Sequence, residues 1–153
     1  SFSFTITCKG VTIGVFTDIG RCCDKVSKAF SQCHAAVLET NYDEQMLDGG
    51  GYPLHLKARI RGGWGHLSNA EALQVFLRHR SPQLSHLLLG HISKNNNHPS
   101  LVEQLFQPHA GRTHIVIAGR FAPTRAYTIL PQEAVDTTHR QRLLPQQLKL
   151  FAG

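Results

Sequence analysis

The sequence predicts an α/β domain, a mixed sheet with flanking helices, and three observations point to it. Strand-like and helix-like segments alternate through the middle of the chain, antiparallel strand pairs stand at its two ends, and two Ser-x-x-Glu capping boxes mark helix starts. With 153 residues and 41% hydrophobic content, there is apolar material for one core and too little for two. No internal repeat is present, and low complexity is confined to two short Gly clusters. We expect residues 1–131 to form the domain and 132–153 a polar tail.

Each element follows from its pattern. In SFSFTITCKG, Phe2, Phe4, Ile6 and Cys8 alternate with Ser and Thr, which is a strand already under way at the first residue. No initiator Met opens it, so the expectation is that natural residues precede Ser1. Lys9-Gly10 turns the chain into VTIGVFTD, apolar on both faces and therefore expected to be central in its sheet. A short helix around Cys23–Ser31 and the strand HAAVLE follow. TNYDEQMLDGGG then leads through a Gly-rich turn into YPLHLKARIRGG, where Pro53 suits a helix start. In HLSNAEALQVFLRHR, Ser68 and Glu71 make the first capping box, and Leu73, Phe76 and Leu77 form the apolar stripe. The strand SHLLLGH comes next, and Ser100 with Glu103 predicts a second capping box opening the helix SLVEQLF. HIVIAGR and TRAYTIL read as a closing hairpin.

Composition narrows the function classes. Sixteen Lys+Arg against ten Asp+Glu give a formal net charge of +6, which favours an anionic partner such as nucleic acid. No run of apolar residues is long enough to span a bilayer, and we expect a soluble, cytoplasmic protein without membrane contact. Cys8, Cys22, Cys23 and Cys33 contain no C-x-x-C pair, so neither a disulfide framework nor a zinc knuckle is indicated, and free thiols are expected.

Three strand ends carry polar groups that a purely structural strand does not need. VFTDIG ends in Asp18, VLETNYD carries Glu39, Asn41 and Asp43, and LLLGHIS ends in His91 and Ser93. In α/β sheets, ligand crevices form at the carboxyl ends of strands. Carboxylate and imidazole are the ligands that zinc, manganese and related ions use. His66 in WGHLSN stands on the loop ahead of the first capping box, where it could point into the same crevice or pack against Trp64. Lys57, Arg59 and Arg61, on the helix expected after Pro53, could neutralise flanking phosphates or form a solvated basic face. No stacking aromatic interleaves with them, so single-strand specificity is not supported.

TDIG at 17–20 resembles the Thr-Asp-x-Gly turn of metallo-β-lactamase-fold hydrolases, and GHLSNAEA followed by LLLGHIS resembles segments of the transfer-RNA 3′-end endonucleases on that fold. ETNYDEQML, GGYPLHLKARI, GHLSN and LGHISKNNN are more closely similar to the signature segments of the WalJ-type (YycJ-like) exonuclease subgroup, over most of residues 1–107. Tyr42 departs from that pattern, standing where many relatives have His, and the role of that histidine does not carry over. The larger departure is that the hallmark His-x-His-x-Asp-His loop, which supplies most of the metal ligands, has no counterpart in these residues. The resemblance therefore implies the C-terminal half of an αβ/βα metallo-β-lactamase sandwich.

That resemblance implies an intact protein that is a binuclear metal phosphodiesterase, most simply a DNA exonuclease, with RNA as the other nucleic-acid substrate to consider. Asp18 would bridge two divalent ions (Zn or Mn), and His91 would ligate the second. His66 would contact the scissile phosphate or protonate the leaving oxygen, oriented by Glu39. Ser93, Asn96, Asn41 and Asp43 would hydrogen-bond around the ligands. Alone, these residues would hold metal poorly and would not turn over substrate. The exposed edge of such a half-fold predicts dimerisation or strand exchange. In the tail, QLKLF at 147–151 resembles the Gln-Leu-x-Leu-Phe peptide with which bacterial proteins dock on the sliding clamp: Leu148, Leu150 and Phe151 would fill an apolar groove while Gln147 supplies polar specificity. Two other readings stand beside the nuclease, a metal-dependent hydrolase of a small thioester or lactam-like substrate on the same fold and a non-catalytic clamp-binding module. The basic charge and the subgroup-like segments favour the nuclease.

Overall fold

A computed structural model describes residues 3–131 of the chain. The segment 132–153, with the QLKLF peptide, lies outside the described residues. A five-stranded mixed sheet runs in the order β1 (Phe4–Cys8), β2 (Val11–Phe16), β3 (Ala35–Glu39), β4 (His86–Gly90), β5 (His114–Ile117). β1 and β2 are antiparallel, and β2 to β5 are parallel. The β1–β2 turn places Lys9 at φ 47° and Gly10 at φ 78°, the two left-handed residues that a tight two-residue hairpin requires. VTIGVF is an interior strand, as its two apolar faces predict, but the centre of the sheet is β3.

Three helices, α1 (Asp24–Phe30), α4 (Asn69–His79) and α5 (Pro99–Phe106), cover one face of the sheet. Their core joins Phe30, Phe76, Val102 and Phe106 to the strand residues Phe16, Leu38, Leu87 and Leu89, all fully buried. Phe16 meets Phe30 edge-on, with ring centroids 5.5 Å apart. Loss of either ring would leave a cavity and cost about 3–5 kcal/mol. The opposite face is apolar and open among the described residues, with Phe4, Ile6 and Ile13 exposed by 53%, 61% and 39%. No helix among the described residues is long and apolar enough to cross a membrane.

Three expectations need correction, and one element is added. Ahead of the Gly-rich turn, Asp43 caps a short helix α2 (Glu44–Gly49) by accepting from Met46 N–H at 2.9 Å. The first capping box is present at Ser68 and Glu71, but the buried stripe of α4 is Ala72, Leu73, Val75 and Phe76, with Leu77 38% exposed. α5 is capped by His98 rather than by Ser100 and Glu103, because Pro99 fits only the first turn of a helix and fixes the cap one residue before it. Finally, 118–131 forms no strand, so there is no closing hairpin. Pro123 lacks a ladder donor, and Tyr127 instead lays its ring against His86 and His114, at 5.1 and 5.8 Å.

Between β3 and α4 the chain forms α3 (Leu54–Arg59), beginning after Pro53, and a wide turn over Ile60–Trp64 in which Gly63 takes φ 73°. This excursion returns to the sheet at Leu67, whose carbonyl accepts from Asn41 N–H at 3.0 Å, while Tyr42 and Ser68 form a parallel bridge. The loop carrying His66 is thereby sewn to the end of β3.

Candidate functional site

The carboxyl ends of β2, β3 and β4 lie side by side, and the chain places a polar residue at each. Asp18 follows β2, Glu39 ends β3 and His91 follows β4. The loop stitched beside β3 adds His66. Asp18 and His91 both take φ 55°, a left-handed conformation that is uncommon for residues other than Gly and costs of the order of 1–3 kcal/mol each. Surrounding hydrogen bonds hold it: Asn41 Nδ2 donates to the His91 carbonyl at 2.8 Å, and Ser93 N–H donates to the Asn41 carbonyl at 2.8 Å.

Glu39 organises the cluster. Its side chain has no solvent exposure, and its two oxygens accept three hydrogen bonds. Oε2 accepts from Ile19 N–H at 2.9 Å, and Oε1 meets Nδ1 of His66 at 2.6 Å and Nδ1 of His91 at 2.8 Å. A carboxylate oxygen accepts, so each ring turns its Nδ1–H to Glu39 and leaves Nε2 free for another partner. Asp18 Oδ1 stands 3.7 Å from His91 Nε2 and 4.0 Å from His66 Nδ1, and the two rings meet edge-on at 5.1 Å.

One donor atom each from Asp18, His66 and His91 lies within 4.8 Å of the others. A carboxylate with two imidazoles is a donor set that suits zinc or manganese, and His91 has the fuller arrangement, with Nδ1 on the buried Glu39 carboxylate and Nε2 toward Asp18, whereas His66 turns Nδ1 to both acids. Three such groups are too few to complete two catalytic ions, which take about three protein ligands apiece.

The remaining sequence candidates separate. Ser93 Oγ accepts from Asn96 N–H at 3.3 Å, and buried Asn96 accepts through its carbonyl from Asp43 N–H at 2.8 Å. Asp43 is occupied as the α2 cap. Arg59 lines a cavity of about 490 Å³ together with Asp18, His66, Ser93 and Asn96. Lys57 instead donates to the Asp48 carbonyl at 2.7 Å, and Arg61 pairs with the Asp48 carboxylate. Trp64 is 86% exposed and lines that cavity together with His66.

Sequence reasoning missed a buried amide pair beneath the site. Asn69 and Asn97 exchange hydrogen bonds at 3.0 and 2.8 Å, and Asn97 Nδ2 also donates to the Thr40 carbonyl at 2.8 Å. It ties α4 and the loop before α5 to the residue next to Glu39. No local pattern announces it, since the partners are far apart in the chain.

No protein-family model matches the chain. Over 102 residues it is 32% identical to the exodeoxyribonuclease WalJ from each of two strains of Streptococcus pneumoniae, covering 63% of this chain and 38% of that protein. Over 85 residues it is 32% identical to the exodeoxyribonuclease YycJ of Bacillus anthracis, covering 56% of this chain and 32% of the relative. The chain thus spans less than two fifths of the length of the curated relatives it matches. Over more than half of its residues, it is related in sequence to proteins named as exodeoxyribonucleases.

Proposed function

We propose that this chain supplies part of the catalytic centre of a metal-dependent DNA exonuclease on the metallo-β-lactamase fold, acting in the cytoplasm. The observation that carries the reading is the convergence of Asp18, His66 and His91 on one point, with both imidazoles pinned by Glu39. Asp18 and His91 would hold the divalent metal. Such ions supply Lewis acidity, lowering the pKa of water and offsetting charge that builds on a phosphate.

The chain's own groups would do the rest. Arg59, on the wall of the cavity, would bind and orient the phosphodiester backbone. His66, held at Nδ1, would deliver a proton from Nε2 to the departing oxygen, and the Glu39 carboxylate would offset the charge of its imidazolium form. Asn41 and Ser93 would keep the His91 backbone in its left-handed turn. The donors still needed would come from a His-x-His-x-Asp-His loop elsewhere in the whole protein, on a second sheet packed over the open face of this one. Without that cover, the 153-residue chain would be inactive, and Phe4, Ile6 and Ile13 would drive its self-association, which light scattering would detect. The QLKLF peptide would dock the whole protein on a sliding clamp.

The test is cleavage of end-labelled duplex DNA, with RNA in parallel, by the full-length protein with added Mn²⁺ or Zn²⁺, beside Asp18→Ala and the 153-residue chain. Cleavage of DNA by the intact wild type alone is the expected result. A folded protein that cleaves nothing with either metal would overturn the nuclease reading and favour a hydrolase of a small thioester or lactam-like substrate.

A further inference from the structure

We propose that Trp64 and Arg21 form a platform on which a nucleobase of the bound strand stacks, beside the cavity that Asp18, Arg59 and His66 line. The inference rests on the nucleic-acid reading above and adds to it the way the strand is gripped. Trp64 is the single tryptophan of the chain. A side chain of this kind normally contributes its large apolar area to a core, yet this indole is 86% exposed. The Arg21 guanidinium carbon stands 5.7 Å from the indole centroid, which fixes the ring without covering most of it.

Position gives the platform its meaning. Trp64 lines two cavities at once: the one of about 490 Å³ that holds Asp18, His66 and Arg59, and a neighbouring one of about 620 Å³ that holds Arg21 and Lys25. The loop that carries Asp18 also carries Arg21, and the loop that carries His66 also carries Trp64. Those loops touch through their glycines, so closely that a Cβ on Gly20 would lie 2.3 Å from the Gly63 carbonyl oxygen. The loops that carry the indole, the imidazole and the carboxylate are therefore packed against one another. A strand whose phosphate enters the first cavity has the indole one step away for its next base, then Arg21 and Lys25 for the following phosphate. Stacking tolerates any base, as an enzyme that degrades DNA of every sequence requires, and it needs a base free of its complement. The ligand is thus a single-stranded or frayed end of nucleic acid.

The single tryptophan makes the test direct. The 153-residue chain is titrated at low salt with a short fluorescein-labelled single-stranded oligonucleotide, reading both label anisotropy and tryptophan emission. An oligonucleotide of the same length with abasic residues serves as the comparison. We expect emission to be quenched by the normal strand and not by the abasic one. Trp64→Ala should weaken binding about tenfold, within the range for one base on an aromatic, while Trp64→Phe should retain most of the affinity. Lys25→Ala should lower the salt dependence by about one phosphate contact. Binding that leaves tryptophan emission unchanged and is unaffected by Trp64→Ala would overturn the platform while leaving the nucleic-acid reading standing. No anisotropy change with any oligonucleotide, for this chain and for the full-length protein alike, would overturn the nucleic-acid reading itself, and the platform with it.

Discussion

Glu39→Gln tests the organisation of the site with the smallest change in shape. The carboxylate accepts at both oxygens, from Ile19 N–H on one and from two imidazoles on the other. An amide has one acceptor and one donor end. With its oxygen toward the imidazoles, its NH₂ faces the buried Ile19 N–H, and an unsatisfied buried donor costs about 1–3 kcal/mol. Turned the other way, its NH₂ faces both rings, and each must move its proton to Nε2 to accept at Nδ1. That destroys the lone pair a metal would use. Adding the weakening of two charge-assisted bonds, we expect a loss of about 2–4 kcal/mol in unfolding free energy. Metal affinity should fall roughly 10–100-fold, as when a carboxylate behind a ligating histidine is removed. Urea denaturation followed by circular dichroism gives the first quantity, and calorimetric titration with Zn²⁺ gives the second. A variant within about 0.5 kcal/mol of wild type, which is the usual effect of a surface change, and with unaltered metal affinity would refute the role assigned to Glu39.

Alkali should unfold the protein over a defined window. Burial pushes the Cys33 thiol up to about 11 and, helped by Glu71 and Glu44, the Tyr42 hydroxyl up to about 12. The unfolded chain releases these protons first, so stability is complete below about pH 9 and falls as the pH rises through 11 and 12, by roughly 3 kcal/mol for each group. Cys33→Ala should flatten the first part of that decline in a pH series of urea melts. Among the thiols, Cys23 should react first with iodoacetamide near neutral pH, because the Val26 and Lys25 backbone N–H groups lower its pKa, while Cys22 is raised by burial and by its neighbours Cys23 and Asp24. Mass spectrometry of timed samples would rank them, with buried Cys33 last. Gly20→Ala should lower the thermal midpoint by several degrees, since its Cβ would run into the Gly63 backbone and about 1–3 kcal/mol of overpacking strain follows.

The site was legible in the sequence wherever a strand ended in a residue that a strand does not need. Asp18, Glu39 and His91 stand out because apolar runs stop at ionisable side chains, and the parallel sheet then brings those ends together. His66 was marked by the capping box behind it. What stayed hidden depended on distance in the chain or on competition between local signals. The β-favouring residues of TRAYTIL suggested a strand, but pairing needs an edge and a register, and Tyr127 found its contact on the rings of His86 and His114. Pro99 outweighed the Ser-x-x-Glu pattern one residue later. α2 has six residues, too few for helical periodicity to show. Trp64 looked like a packing partner for His66 because nothing local places Arg21 beside it.

The most direct test of the central claim is anomalous diffraction from crystals of the full-length protein grown with Zn²⁺ or Mn²⁺, collected on both sides of the metal edge. The expected result is an ion within about 2.0–2.2 Å of an Asp18 carboxylate oxygen and of His91 Nε2, with Glu39 still bonded to His91 Nδ1. An ordered cluster with no anomalous density beside Asp18 and His91, in crystals of protein that binds the metal in solution, would contradict it.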